Sequence, residues 1–132
     1  MAVWNNTTIG LSADIDSKLN EITDNLQFSD AQAAFKFCFS IEYAWASEHD
    51  QLRNYRETDA KKSRTTKWGI AGFDPDQTFG DLADISVPTE FGGDFGKFVE
   101  VLGDAGVERV YDLVDKHDIY SISEIFESIK LK

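Results

Sequence analysis

Apolar positions along the chain change their period several times, and each change marks an element. In residues 5–11, Thr7, Ile9 and Leu11 alternate with Asn6, Thr8 and Gly10, the period of two that a strand imposes. Ser12 then stands as an N-cap with Asp14 and Asp16 in the first turn, where the helix dipole favours acids. Ile15, Leu19, Ile22 and Leu26 recur at helical spacing and predict an amphipathic helix of about 14 residues. Gln27-Phe28 makes a tight connection, and Ser29 with Gln32 reads as a capping box that opens a second helix reaching Ser47. That helix differs in kind. Ala31, Ala33, Ala34, Phe35, Phe37, Cys38, Phe39, Ile41, Tyr43, Ala44, Trp45 and Ala46 leave it apolar almost all the way round. A helix of this sort must be covered on every side, and the rest of a short chain covers one or two faces. The pattern therefore predicts a homo-oligomer with Phe35, Phe39 and Trp45 at its interface.

Beyond Ser47 the pattern weakens. Glu48 to Thr66 is polar and basic, with Leu52 and Tyr55 as its few anchors, and reads as a frayed helix end followed by a loop. Thr65 to Phe73 suits a second short strand. Asp74-Pro75-Asp76-Gln77 reads as a helix start, with an acidic cap and proline at the first position, and predicts a helix carrying Phe79 and Leu82 to about Asp84. Pro88 to Gly96 is a glycine-rich loop. Three short helices are expected after it, over about 95–102, 107–116 and 122–130. The last opens with a second capping box, Ser121 to Glu124, and buries Ile122, Ile125, Phe126 and Ile129. The fold class expected is mainly α: a short N-terminal strand and two helices, then a small C-terminal helical half. The divisions fall at 1–50, 51–72 and 73–132.

The 132 residues suit one domain, and an apolar content of 42% is ample for a packed core. The single cysteine, Cys38, rules out an internal disulfide and suits a reducing cytoplasm. The start Met1-Ala2-Val3-Trp4-Asn5-Asn6 lacks a basic head and an apolar run, so no export signal is expected. No apolar stretch approaches membrane-spanning length.

Charge changes the picture more than composition does. The net charge is −11, yet residues 53–67 carry +4 against −6 for residues 1–50 and −9 for residues 73–132. A globally acidic protein is repelled by nucleic acid at long range. The basic stretch is the one segment suited to phosphate or to an acidic partner. Arg53, Arg56, Lys61, Lys62, Arg64 and Lys67 supply charge, with Tyr55 and Trp68 available to stack on bases. A solvated loop, or an internal counter-charge for the acidic halves, explains the same run equally well.

The other candidates are weaker. His49-Asp50 and His117-Asp118 resemble the paired ligands of metal phosphohydrolases, but two histidines are too few for such a centre. The acids from Asp74 to Asp84 miss calcium-loop spacing, because Phe79 stands where glycine is required and Ile85 where glutamate is. Cys38, between Phe37 and Phe39, reads as a core residue rather than a nucleophile. Gly92, Gly93 and Gly96 have no strand before them and no lysine at phosphate-loop spacing. No catalytic residue, cofactor or metal site is expected.

The run Ile9-x-Leu11-Ser12 leading into Ile15, Leu19 and Ile22, followed by the buried helix, resembles the ribbon-helix-helix family. It is also similar to the small accessory protein of bacterial DNA phosphorothioation systems, through an apolar-x-Leu-Ser strand end and a buried second helix containing a cysteine. The resemblance covers about the N-terminal third. It implies a strand paired across a dimer twofold and intertwined helices. It departs from a DNA-reading pattern, since Asn6, Thr8 and Gly10 include no basic residue and the second helix offers only Lys36. The expectation is a non-enzymatic regulatory or adaptor protein in a prokaryotic or phage nucleic-acid-related or defence assembly, with a protein partner and with nucleic acid possible at 53–67. The alternative is an acidic inhibitor of phage type, a DNA mimic that binds a nuclease or defence protein through clustered carboxylates.

Overall fold

A computed structural model of the chain describes residues 8–56, 63–88, 91 and 95–130. The fold is mainly helical, with one small antiparallel sheet. Strand β1 (Thr8–Leu11) leads into α1 (Ala13–Asn25) and α2 (Ala31–Glu48). A 3-10 turn, Leu52–Asn54, precedes β2 (Thr66–Gly69), α3 (Ile70–Phe73) and α4 (Thr78–Ser86). Helices α5 (Phe95–His117) and α6 (Ile122–Lys130) complete it.

Local chemistry explains the N-terminal boundaries. Ser12 Oγ accepts the Ile15 N–H at 3.3 Å and starts α1, as its position suggests. Helix α2 is capped one residue later than expected, by Asp30, whose carboxylate accepts the Ala33 N–H at 2.8 Å. Asp is as good an N-cap as Ser, so the start of α2 moves by one residue without loss of a cap. Gln27, Asp50 and Asp118 all take positive φ, at 60°, 55° and 51°, where the chain leaves α1, α2 and α5. The two His-Asp dipeptides are thus helix ends, with the aspartate in the left-handed region that Asp tolerates better than most residues.

The second half departs from expectation in one main respect. The helices expected at 95–102 and 107–116 are a single 23-residue helix, α5. Gly103 and Gly106, which read as a break, lie inside it because that is where α5 crosses α2. A Cβ on Gly103 would sit 2.1 Å from Phe35 Cζ, and one on Gly106 would sit 2.0 Å from the Cys38 carbonyl oxygen. Only glycine permits that approach. Helix α4 likewise begins at Thr78 rather than near Pro75, after Gln77 with φ 62°. Asp74 still caps it, through a longer loop: its buried carboxylate accepts the N–H groups of Phe79 at 3.0 Å and Gly80 at 2.8 Å. In α6 the Glu124 N–H donates to Ser121 Oγ at 3.2 Å, but only Ile125 and Ile129 are buried, while Ile122 and Phe126 stay partly exposed. The expected strand at 65–73 is β2 followed at once by α3.

The all-apolar helix finds its cover inside the chain. Helix α2 packs chiefly on α5, with α1 and α6 alongside. Phe35 is fully buried, edge-on to Trp68 at 5.6 Å and to Phe73 at 6.0 Å. Phe39 is nearly so, packed on Phe79 at 5.0 Å and Phe98 at 5.9 Å. Trp45 is half-buried beneath Arg109, whose guanidinium carbon lies 3.8 Å from the ring centre. Phe35 and Phe39 are thus covered within the chain by β2, α3, α4 and α5, and Trp45 in part by Arg109, so the apolar character of α2 does not by itself require a second subunit. One hydrophobic cluster runs from Ile9 to Ile129 and joins the expected halves.

Strand β1 also has its partner within the chain. It pairs antiparallel with β2, Ile9 opposite Trp68 and Gly10 opposite Lys67. A ribbon-helix-helix dimer needs that pairing between two chains. Both backbone groups of Gly10 are taken by side chains as well: its N–H donates to Glu100 Oε2 at 2.8 Å, and its carbonyl accepts from Arg64 Nη1. A carboxylate and a guanidinium thus stand in for a neighbouring strand. Among the described residues, no helix is long and apolar enough to cross a membrane.

Candidate functional site

The basic segment does not hold together as one surface. Arg64 turns inward. Besides Gly10, its Nη2 reaches Asp104 Oδ2 at 2.8 Å and its Nε lies 3.8 Å from Glu100 Oε1. Its side chain is only 10% exposed, and those of Glu100 and Asp104 are 6% and 7%. Gly10 makes room for it, since a Cβ there would meet Arg64 Cβ at 3.0 Å. The internal counter-charge that competed with phosphate binding in the sequence is what this arginine supplies. Arg53, Arg56 and Lys67 are exposed. Arg56 Nη1 donates to the carbonyls of Arg53 and Tyr55, which folds it back on its own turn. Lys61 and Lys62 lie outside the described residues. Neither aromatic of the segment is presented for stacking on a base: Trp68 packs in parallel on Phe73 at 5.9 Å, and the Tyr55 hydroxyl donates to Glu42.

A second ion cluster escaped the sequence altogether. Glu42 is the lone acid within the apolar part of α2 and is 2% exposed. Arg109 of α5 grips it, Nε to Oε1 at 2.7 Å and Nη2 to Oε2 at 3.4 Å, and the Tyr55 hydroxyl completes the acceptor's needs. Burial first, then the hydrogen bond to Glu42 and its charge, push the Tyr55 phenol well above its ordinary pKa. Trp45 stacks with His49 at 4.9 Å, and His49 Nδ1 bonds the Trp45 carbonyl at 2.8 Å. The sequence signal was an acid within the apolar stretch 31–46 of α2, which holds no other. Its partner, 67 positions on, carried none.

A cleft of about 420 Å³ opens beside this cluster, lined by Glu42, Ala105, Glu108, Arg109, Asp112 and Leu113. Asp112 is also engaged with Lys116 at 2.9 Å and lies 4.0 Å from His117. Among the described residues, no three His, Cys, Asp or Glu side chains are grouped to hold a metal ion. Cys38 is fully buried, and desolvation drives its thiol pKa far above the usual value, so the thiolate nucleophile is disfavoured.

Where α1 packs on α5, Glu21 accepts a hydrogen bond from the Tyr111 hydroxyl, the charges of Asp115 and Asp14 act on the same phenol, and its ring lies 5.5 Å from Lys18 Nζ. The hydrogen bond to Glu21 comes first among the causes that raise the Tyr111 pKa, followed by burial and the charges of Asp115, Glu21 and Asp14. Lys18 pairs with Asp14 at 3.3 Å, a solvent-exposed i,i+4 contact worth a few tenths of a kcal/mol at most. No protein-family model, curated protein or solved structure matches the chain.

Proposed function

We propose that the chain is a non-enzymatic adaptor or regulatory protein that presents carboxylates to a basic partner protein. The observation that carries this reading is the net charge of −11 combined with the engagement of Arg64 and Arg109 by buried carboxylates, with Glu21 at Tyr111 and the nearby charges of Asp14 and Asp115 marking the α1–α5 side as a candidate face. A protein of net charge −11 attracts a basic surface at long range and repels nucleic acid. The setting remains the one the N-terminal resemblance implies, a prokaryotic or phage assembly that works on nucleic acid. The likeness contributes only the order of strand, helix, helix, because β2 holds the place a partner's strand would take. The same charge favours a sharper version: an acidic inhibitor that occupies a basic nucleic-acid groove, with carboxylates in place of phosphates. Direct contact with nucleic acid through 53–67 is the weaker reading, because Arg64 is engaged inside.

The test uses a fluorescent oligolysine peptide and a labelled DNA duplex as probes. The chain should bind the peptide, with affinity falling as salt rises, and should strip it from the duplex. Asp14→Asn, Glu21→Gln and Asp115→Asn together should weaken binding more than Glu48→Gln, Asp50→Asn and Glu127→Gln, which remove the same charge elsewhere. Equal losses from the two triple variants would overturn the assignment to this face. Binding of the duplex itself, lost on replacing Arg53, Arg56 and Lys67, would overturn the reading as a whole.

A further inference from the structure

The most exposed large aliphatic side chains of the described residues stand together on α4: Leu82 is 61% exposed and Ile85 83%. They are three positions apart and so share one side of the helix. Beside them runs a groove of about 240 Å³ between α4 and α2, lined by Phe39, Ser40, Tyr43, Phe79 and Leu82. Its floor is aromatic. Phe39 stacks with Tyr43 at 6.3 Å, meets Phe79 edge-on at 5.0 Å, and is held from behind by Phe98 at 5.9 Å. Folding does not require two aliphatics in water next to an open aromatic groove. Such a patch, rimmed by polar residues, marks a place where another apolar group docks.

Charge selects the occupant. Helix α4 carries Asp81 and Asp84 on either side of Leu82 and no basic residue. A second copy of this chain would bring a net charge of −11 against those acids. Its best-suited element, α6, has partly exposed Ile122 and Phe126 but carries Glu124 and Glu127 with them. Like charges at a contact cost affinity, whereas a basic segment gains from the same acids.

We infer that the α2–α4 groove docks a basic amphipathic segment of the partner, seating a large apolar side chain on Phe39 and Phe79 while flanking lysines or arginines meet Asp81 and Asp84. This rests on the basic-partner reading above and adds the apolar anchor and its place. Mixed recognition of this kind uses an apolar face for affinity and charge for orientation and approach.

Two labelled peptides of about 14 residues, close to four helical turns, separate the two ideas. One sets leucines at helical spacing (i, i+3, i+4, i+7) among lysines to form an amphipathic helix. The other keeps every lysine and replaces each leucine with alanine. The leucine peptide should bind about tenfold more tightly, or about 1.4 kcal/mol, the scale of one seated apolar anchor. Leu82→Ser with Ile85→Ser should remove that advantage without lowering the urea midpoint, because both side chains lie largely in water. Equal affinity for the two peptides would overturn the groove and leave the acidic-face reading standing. Undiminished preference for leucine in the double variant would overturn the groove too. Failure of both peptides to bind would sink the basic-partner reading along with it. A concentration-dependent dimer in light scattering, dissolved by the double variant, would show that the occupant is a second copy.

Discussion

Gly106→Ala isolates the contact on which the fold turns. In an isolated helix the change would stabilise, because alanine exceeds glycine by about 1 kcal/mol in helix propensity. Here the added methyl would lie 2.0 Å from the Cys38 carbonyl oxygen and 2.6 Å from its carbon. A backbone group of α2 cannot rotate aside as a side-chain tip can, so the helices must part by about 1.4 Å to restore a normal contact. A gap of even about 0.5–1 Å forfeits a quarter to a half of each dispersion contact across the seam. The seam includes Phe35, Cys38 and Leu102, all fully buried. Overpacking of this kind costs typically about 1–3 kcal/mol and sometimes more, and the upper end applies where backbone is struck. After the propensity gain, a net loss of about 2–3 kcal/mol remains, or a fall in Tm of about 6–10 °C at this chain length. Urea denaturation followed by circular dichroism measures it, with the slope checked for two-state behaviour. Gly72→Ala is the control, since a Cβ there meets nothing within 4 Å. It should be neutral or slightly stabilising. If Gly106→Ala matches or exceeds the unmutated protein, the close crossing of α2 and α5 is wrong.

Arg64→Ala should destabilise by about 3–5 kcal/mol, because it strands the Glu100 and Asp104 carboxylates with their counter-charge removed. A loss below about 1 kcal/mol, the scale of a surface ion pair, would contradict the buried arrangement. Cys38 should react with an aromatic disulfide reagent only after denaturation, and labelling at native rates equal to those of a free thiol would contradict its burial. Burial raises the folded pKa of Cys38, and burial with Glu42 raises that of Tyr55, so the stability both contribute is complete below their unfolded values. It is lost as pH climbs past about 8.5 for the thiol and about 10 for the phenol. The stability gap between the unmutated protein and Cys38→Ala should therefore narrow on going from neutral to alkaline pH. A gap that stays constant would refute the linkage.

Local patterns in the chain were sufficient for much of the architecture. Strand β1, the cap at Ser12, the buried face Ile15, Leu19, Ile22 and the apolar character of α2 all follow from periodicity and capping within a few residues. The burial of Cys38 was legible for the same reason. What sequence alone could not settle is what each face meets. Gly103 and Gly106 carry the propensity of a helix break, and only the approach of Phe35 and Cys38 makes them the closest point of a continuous helix. The all-apolar α2 announced that it needed cover, but whether a second subunit or its own chain supplied it depended on a helix more than fifty residues away. The basic run raised the same ambiguity: charge count is a property of the segment, whereas direction is a property of the fold. Arg64, two residues before β2, reaches Glu100 and Asp104 because the pairing of β2 with β1 brings it past Gly10, and the Glu42–Arg109 pair forms because α2 and α5 cross there. Periodicity is encoded between neighbours, while counter-charges and close contacts are set by long-range packing, so elements could be read along the chain and the sites could not.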